Sequence, residues 1–254
     1  MYDPLELTEI VRKVVVKEVG GEELRKYYRF RGGRWYGGIA TADCVGCNLR
    51  CRFCWSWKPR DFMSQYGKFY SAEEVAEKLI RIASRRRYRQ LRVSGGEPTI
   101  SRVHLVSLLE KLSQTRYLFI LETNGILLGA YRDYARELSK FRNLHVRVSI
   151  KGCSKDEFVK LTGAKPEAYE LQFRALKNLL DHSVSVHPAV MMSFCDKKDV
   201  EKLIGKLKEI DEVLVEELEP EYVFLYPHVV EILRKYGLKP KIAYRPDNIP
   251  EELI

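Results

Sequence analysis

Short apolar runs alternate with amphipathic stretches along most of this chain. Runs at 35–41, 91–93, 117–121, 145–150, 184–192 and 222–225 read as strands. Between them, helical spacing of apolar positions predicts helices to about 85, then over 103–112, 130–140, 167–180 and 198–210. Ser71 with Glu74 three residues on is a capping box that opens the first of these. Strand is followed by helix about six times, which predicts an α/β fold with a parallel sheet and helices outside it. Six units are too few for a closed eight-stranded barrel, so a partial (β/α)6 barrel of parallel strands is expected, reactive at the carboxyl ends of its strands. No repeat and no Gly/Ser/Pro linker divides the chain. The expected organisation is an N-terminal extension over 1–34, a core domain over 35–228 and a C-terminal extension over 229–254.

Composition changes this picture little. The 254 residues are 45% hydrophobic, enough for one large core. No stretch approaches the roughly 18 uncharged apolar residues of a membrane helix, and residues 1–16 hold no signal-peptide apolar region. A soluble cytoplasmic protein without membrane contact is the expectation. The formal charge of +9 suits an anionic partner such as RNA. With 31% of residues charged, a solvated surface is the stronger explanation. Arg81, Arg85, Arg86, Arg87, Arg89 and Arg92 cluster where a helix ends and a strand begins, away from the expected reactive face.

The cysteines change it most. Four of six, Cys44, Cys47, Cys51 and Cys54, fall within eleven residues, a crowding that points to metal in a cytoplasmic setting. Cys47, Cys51 and Cys54 have the spacing C-x3-C-x2-C, expected by chance in only about 0.003 of chains with this cysteine content. Three thiolates can hold three irons of a cubane and leave the fourth open to a ligand. A zinc site with Cys44 as fourth ligand is the rival, although zinc ribbons place a longer excursion between their cysteine pairs. The other reading of Cys44 is a packing cysteine, and Cys153 and Cys195 read as buried small hydrophobes.

C-x3-C-x2-C with the aromatic Phe53 before its last cysteine, followed after the next strand by Gly95-Gly96-Glu97-Pro98, resembles the radical S-adenosylmethionine (radical SAM) superfamily. The resemblance implies a partial barrel of the radical SAM type, a [4Fe–4S] cluster on Cys47, Cys51 and Cys54, and S-adenosylmethionine bound at the open iron. An electron from the cluster then breaks the S–C5′ bond, giving methionine and a 5′-deoxyadenosyl radical that abstracts hydrogen. An external electron donor of the ferredoxin or flavodoxin type is implied as partner.

Gly95 and Gly96 carry no side chain to obstruct a close ligand, and Glu97 suits the ammonium of the methionine moiety. Within the superfamily, Glu122-Thr123-Asn124-Gly125 and Ser149-Ile150-Lys151 resemble strand ends of the glycyl-radical-enzyme activases, the pyruvate formate-lyase activating group. Glu122 and Ser149 each stand where that group has Asp. This implies cofactor-binding roles for Glu122, Asn124, Ser149 and Lys151. His228, in Leu225-Tyr226-Pro227-His228, resembles a late histidine of the same group. Phe53 is expected to pack on adenine.

No cysteine follows Cys195, so a single cluster is expected. The expected function is radical hydrogen abstraction from an unidentified substrate, a small molecule or a partner protein that it activates. Two alternatives stand beside it. Cys54-Trp55 resembles the wyosine-base synthases, which implies a tRNA base as substrate. From another class, the chain would be a non-catalytic Fe–S or zinc-binding protein.

Overall fold

A computed structural model describes residues 1–253. Helix α1 (Pro4–Val15) leads into a hairpin of β1 (Val16–Val19) and β2 (Glu22–Gly33), followed by β3 (Ile39–Cys44), α2 (Trp57–Asp61) and β4 (Lys68–Tyr70). Then come α3 (Ala72–Arg86), β5 (Gln90–Ser94), α4 (Arg102–Ser113), β6 (Leu118–Thr123), α5 (Ile126–Ala130), α6 (Arg132–Leu138) and β7 (Leu144–Ile150). The rest is α7 (Lys155–Thr162), α8 (Glu167–Asp181), β8 (Ser185–Met191), α9 (Lys197–Lys208), α10 (Val213–Glu216), β9 (Glu219–Glu221), β10 (Val223–Phe224), α11 (Pro227–Lys235) and β11 (Ala243–Tyr244).

Strands β3, β5, β6, β7, β8 and β9 lie side by side in that order, all parallel. The expected six-stranded parallel unit is therefore present. The chain before it is also structured: β2 pairs antiparallel with β3, and β1 and β4 pair with β2. The sheet curls, bringing the Tyr36 hydroxyl, just before β3, to donate to Glu219 on β9 at 3.1 Å and so to join the two ends of the parallel row.

Alternation along each strand separates two environments. Leu91, Val93, Phe119, Leu121, Val146, Val148, Val186 and Val190 join one buried apolar cluster with Val75, Leu79, Leu105, Leu108, Leu176 and Leu179 of the helices. Burial of this face supplies the main driving force for the fold. The intervening residues, Arg92, Ser94, Glu122, Arg147, Ser149, Glu219 and Glu221, line a cavity of about 620 Å³ inside the curl.

Four expectations need correction. The first strand starts at Ile39, because residues 35–37 form a tight turn with Tyr36 at a left-handed φ of 54°. The last strand of the sheet is Glu219-Pro220-Glu221. The apolar run at 222–225 instead supplies β10, which pairs with β11 in a separate small sheet. The helix expected over 130–140 runs only over 132–138 as α6, and an unforeseen α5 precedes it across the extended Tyr131. Cys153 and Cys195 are not isolated: a disulfide joins them. The capping box at Ser71 and Glu74 forms as expected. No helix among the described residues is long and apolar enough to cross a membrane.

Candidate functional site

The cavity opens at the carboxyl ends of the parallel strands, where β3 runs into the cysteine loop. Cys47, Cys51 and Cys54 line it, whereas Cys44 is fully buried outside its lining. Neighbours on every side hold the loop. The Arg50 N–H donates to the Tyr2 hydroxyl at 2.7 Å, and the Arg52 N–H to the Leu161 carbonyl at 2.8 Å. Arg50 and Arg60 donate to the carbonyls of Cys47 and Cys51 at 2.5 and 2.6 Å, and both pair with Asp61. Two guanidiniums on one carboxylate leave positive charge beside the thiols.

Burial pushes the Cys51 thiol up to about 11, against the pull of Lys151 and Arg60. Burial pushes the Cys47 thiol up as well, so without metal these two thiols would stay protonated, and metal binding would have to offset the burial. A single tetrahedral zinc with bonds of about 2.3 Å would bring its sulfurs within roughly 4 Å of each other. Among the described residues, only Cys153, Glu157 and Cys195 bring three ligand atoms within 4.8 Å of one another. At least one pair of the loop thiols therefore lies further apart than a single zinc would hold them.

The Gly95–Glu97 turn is built against this loop. Gly95 has a φ of 89°, and a Cβ on Gly96 would stand 2.0 Å from the Gly46 carbonyl oxygen. That carbonyl accepts from the Glu97 N–H at 2.8 Å. The glycines thus let two backbones meet, a requirement within the protein itself as well as room for a ligand. Glu97 is 1% exposed. Its Oε1 accepts from the Thr99 N–H, the Thr99 hydroxyl and the Thr123 hydroxyl, and its Oε2 from the Asn124 N–H. With these donors in place, the Glu97 side chain ties its neighbours together, and its Oε2, which accepts one hydrogen bond, keeps capacity for a further donor at the cavity wall.

Asn124 points its amide at Cys47 Sγ, 3.6 Å away, and donates to Asn48 at 2.7 Å. Gln172 of α8 ties two strand ends together, donating to the carbonyls of Asn124 and Ser149 and accepting from the Lys151 N–H. Lys151 donates to the Ser149 hydroxyl and lies 3.4 Å from Glu221. Burial alone would depress its ammonium, but Glu221 holds it above its ordinary value. It keeps one proton for a ligand. Phe53 faces the cavity and tilts against Phe194 at 5.9 Å. His228 lies at the cavity's edge, hydrogen-bonded to the Trp55 carbonyl at 2.8 Å and stacked on Tyr226.

Glu122 sits deeper, bound by Arg92 at 2.7 Å and by the Ser94 hydroxyl. Burial would raise its carboxyl, and Arg92 with Arg147 reverses that. Arg147 forks onto both oxygens of Glu219 and reaches Glu221, each at 2.7–2.8 Å. Sequence reading missed Arg147, Glu219, Glu221, Arg29 and Arg31, and placed Arg92 in a surface cluster. Arg92 is buried at the cavity wall, while Arg81, Arg85, Arg86, Arg87 and Arg89 are exposed. The available signal was alternation: Arg92 and Ser94, then Arg147, Ser149 and Lys151, stand at every second position between apolar residues.

The sequence profile of the Radical SAM superfamily matches residues 43–207. A GTP 3′,8-cyclase from Syntrophomonas wolfei is 31% identical over 160 residues, covering 61% of this chain and 47% of the relative. A 7-carboxy-7-deazaguanine synthase from Hyperthermus butylicus is 37% identical over 92 residues, 35% of each chain. This chain thus spans about half or less of the length of these relatives. The crystal structure of Streptococcus suis SuiB bound to S-adenosylmethionine superposes with a TM-score of 0.53 at 17% identity, covering 65% of this chain and 36% of that one. Such a likeness speaks for the fold alone. With the matched profile running from the end of β3 through α9, this chain belongs to the radical SAM superfamily, whose cofactors are a [4Fe–4S] cluster and S-adenosylmethionine.

Proposed function

We propose that this chain holds a [4Fe–4S] cluster on Cys47, Cys51 and Cys54, cleaves S-adenosylmethionine reductively there, and uses the radical to take hydrogen from a small polar substrate. One observation carries the reading: the three thiols, the Gly95–Glu97 turn, Asn124 and Lys151 all face a single cavity at the carboxyl ends of six parallel strands. When bound and reduced, the cluster supplies the electron that breaks the S–C5′ bond. The chain's own residues bind and orient. Lys151 offers its remaining proton to a carboxylate or a ribose hydroxyl, with Ser149 and Glu221 fixing its position. Gly95 and Gly96 leave room for the methionine moiety, Glu97 would accept from its ammonium, and Phe53 gives an apolar surface for adenine. Asn124 directs an amide proton toward the Cys47 sulfur. Glu122 braces the wall through Arg92 and Ser94, and His228 sits at the edge.

The relatives favour a small-molecule substrate over a partner protein, since those named above are a GTP cyclase and a deazaguanine synthase. The activase subgroup rests on the strand-end motifs at 122–125 and 149–151 alone. RNA has less support, because the arginine-rich end of α3 is exposed and, of the whole arginine cluster, only Arg92 on β5 lines the cavity. A ferredoxin or flavodoxin remains the expected electron source. The test adds candidate small anions, GTP among them, to reduced, cluster-loaded protein with S-adenosylmethionine. A substrate of this class raises 5′-deoxyadenosine release well above the rate without it. Stimulation by a glycyl-radical enzyme or tRNA, and by no small molecule, overturns the substrate assignment.

A further inference from the structure

Charges in the cavity wall cancel in most places. Arg92 faces Glu122, and Arg147 with Lys151 faces Glu219 with Glu221. Beside the thiols, the excess from Arg50 and Arg60 over Asp61 lies where thiolate charge would offset it. Apart from Lys58, exposed and over the Trp57 ring, one excess remains without such a counterpart. Arg29 and Arg31, at alternate positions of β2, both bind the single carboxylate of Asp43.

Asp43 is completely buried behind them and outside the cavity lining, whereas both guanidiniums line the cavity. The bonds to Asp43 use Arg29 Nε at 2.6 Å, and Arg31 Nε and Nη2 at 2.8 and 3.3 Å. Among the described residues, no other partner takes the two terminal nitrogens of Arg29 or Nη1 of Arg31. The Arg29 guanidinium is also held 5.4 Å from the Trp55 ring centroid and 5.5 Å from that of Tyr28. The fork carries one net positive charge after Asp43, is fixed from behind and unspent in front, and so stands preorganised to meet an anion. Its position relative to the cofactor-side residues follows from the register. Asp43 is the partner of Ser94, the residue before Gly95, so the fork stands two strands from the Gly95–Glu97 turn on the same open face.

We infer that Arg29 and Arg31 form the subsite for an anionic group, a phosphate or a carboxylate, of the substrate. The meaning of "substrate" here rests on the radical reading of the cavity, but the anion site is testable without turnover. Cluster-loaded protein, saturated with S-adenosylmethionine and given no reductant, is titrated with inorganic pyrophosphate and separately with succinate. Failure to bind anions and failure to cleave the cofactor are then separate results.

One of the two probes should bind with saturation, pyrophosphate if the group is a phosphate and succinate if it is a carboxylate. Arg29→Gln and Arg31→Gln are tested singly, because either leaves Asp43 paired and the fold intact. Each should weaken probe binding at least tenfold and reduce its salt dependence. The spectroscopic response of the cluster to S-adenosylmethionine should stay as in the parent. Arg81→Gln, on the exposed face of α3, should bind the probe like the parent. The inference is overturned if neither anion binds, if either variant binds it as the parent does, or if saturating S-adenosylmethionine abolishes binding. The last result would give the fork to the cofactor's own carboxylate.

Discussion

Glu97 accepts the backbone N–H of Asn124 at 2.8 Å, tying the turn after β5 to the turn after β6. The same carboxylate takes Thr99 and Thr123, so one buried anion fixes two strand ends at the site. Glu97→Ala would strand these donors in a dry environment, and unpaired buried donors cost about 1–3 kcal/mol each. A loss of roughly 3 kcal/mol or more in unfolding free energy is expected, measured by chemical denaturation, with weaker cofactor binding as a consequence. A variant as stable as the parent that nonetheless loses cofactor affinity would show that Glu97 touches the cofactor directly.

Lys151 gives a different outcome. Glu221 keeps Arg147 and Ser149 when Lys151 is removed, so Lys151→Ala should fold and load iron normally. Loss of one charge-assisted donor, worth about 1.5–3 kcal/mol, should weaken S-adenosylmethionine by one to two decades. Titration of the cluster spectrum reads this directly. Unchanged affinity removes Lys151 from the cofactor site.

Thiol counting tests the cross-link. Denatured without reductant and stripped of metal, the protein should show four reactive thiols, because Cys153 and Cys195 are joined. A count of six contradicts the disulfide.

Acid should weaken the fold through Glu219. Burial would raise this carboxyl, but hydrogen bonds from Arg147 and His187 outweigh that and hold it far below the usual range. A depressed carboxyl adds stability above its unfolded pKa, here 4.5, and that stability is lost as pH falls through the folded value. Melting temperature should therefore drop as pH goes from about 5 to about 2, and Glu219→Gln should flatten part of that drop. An identical slope in the variant would mean that Glu219 is not depressed.

The elements legible in sequence are those whose physics is local. The spacing of Cys47, Cys51 and Cys54 announces metal, the Ser71 box announces α3, and Leu91 with Val93 announces β5. What was illegible depends on pairing across the fold. Glu219-Pro220-Glu221 has no apolar residue beyond proline and is a strand because Arg147 and the β8 edge receive it. Strand β2 carries arginine, lysine and tyrosine at positions that only the curled sheet turns inward. Arg92 reads as surface beside Arg85–Arg89, and its partners Glu122, 30 residues away in sequence, and Thr41 explain its burial. The donors that Thr123 and Asn124 aim at Glu97 are invisible until β6 stands next to β5.

The most direct test measures cofactor cleavage in the absence of substrate. Anaerobically reconstituted protein, reduced and given S-adenosylmethionine, should release 5′-deoxyadenosine and methionine in equal amounts, slowly. Cys51→Ala should bind no full cluster and release neither. Background levels of both products from protein with about four irons and four sulfides per chain, tried with several reductants, would contradict the proposed chemistry. So would full iron content and product release in Cys51→Ala.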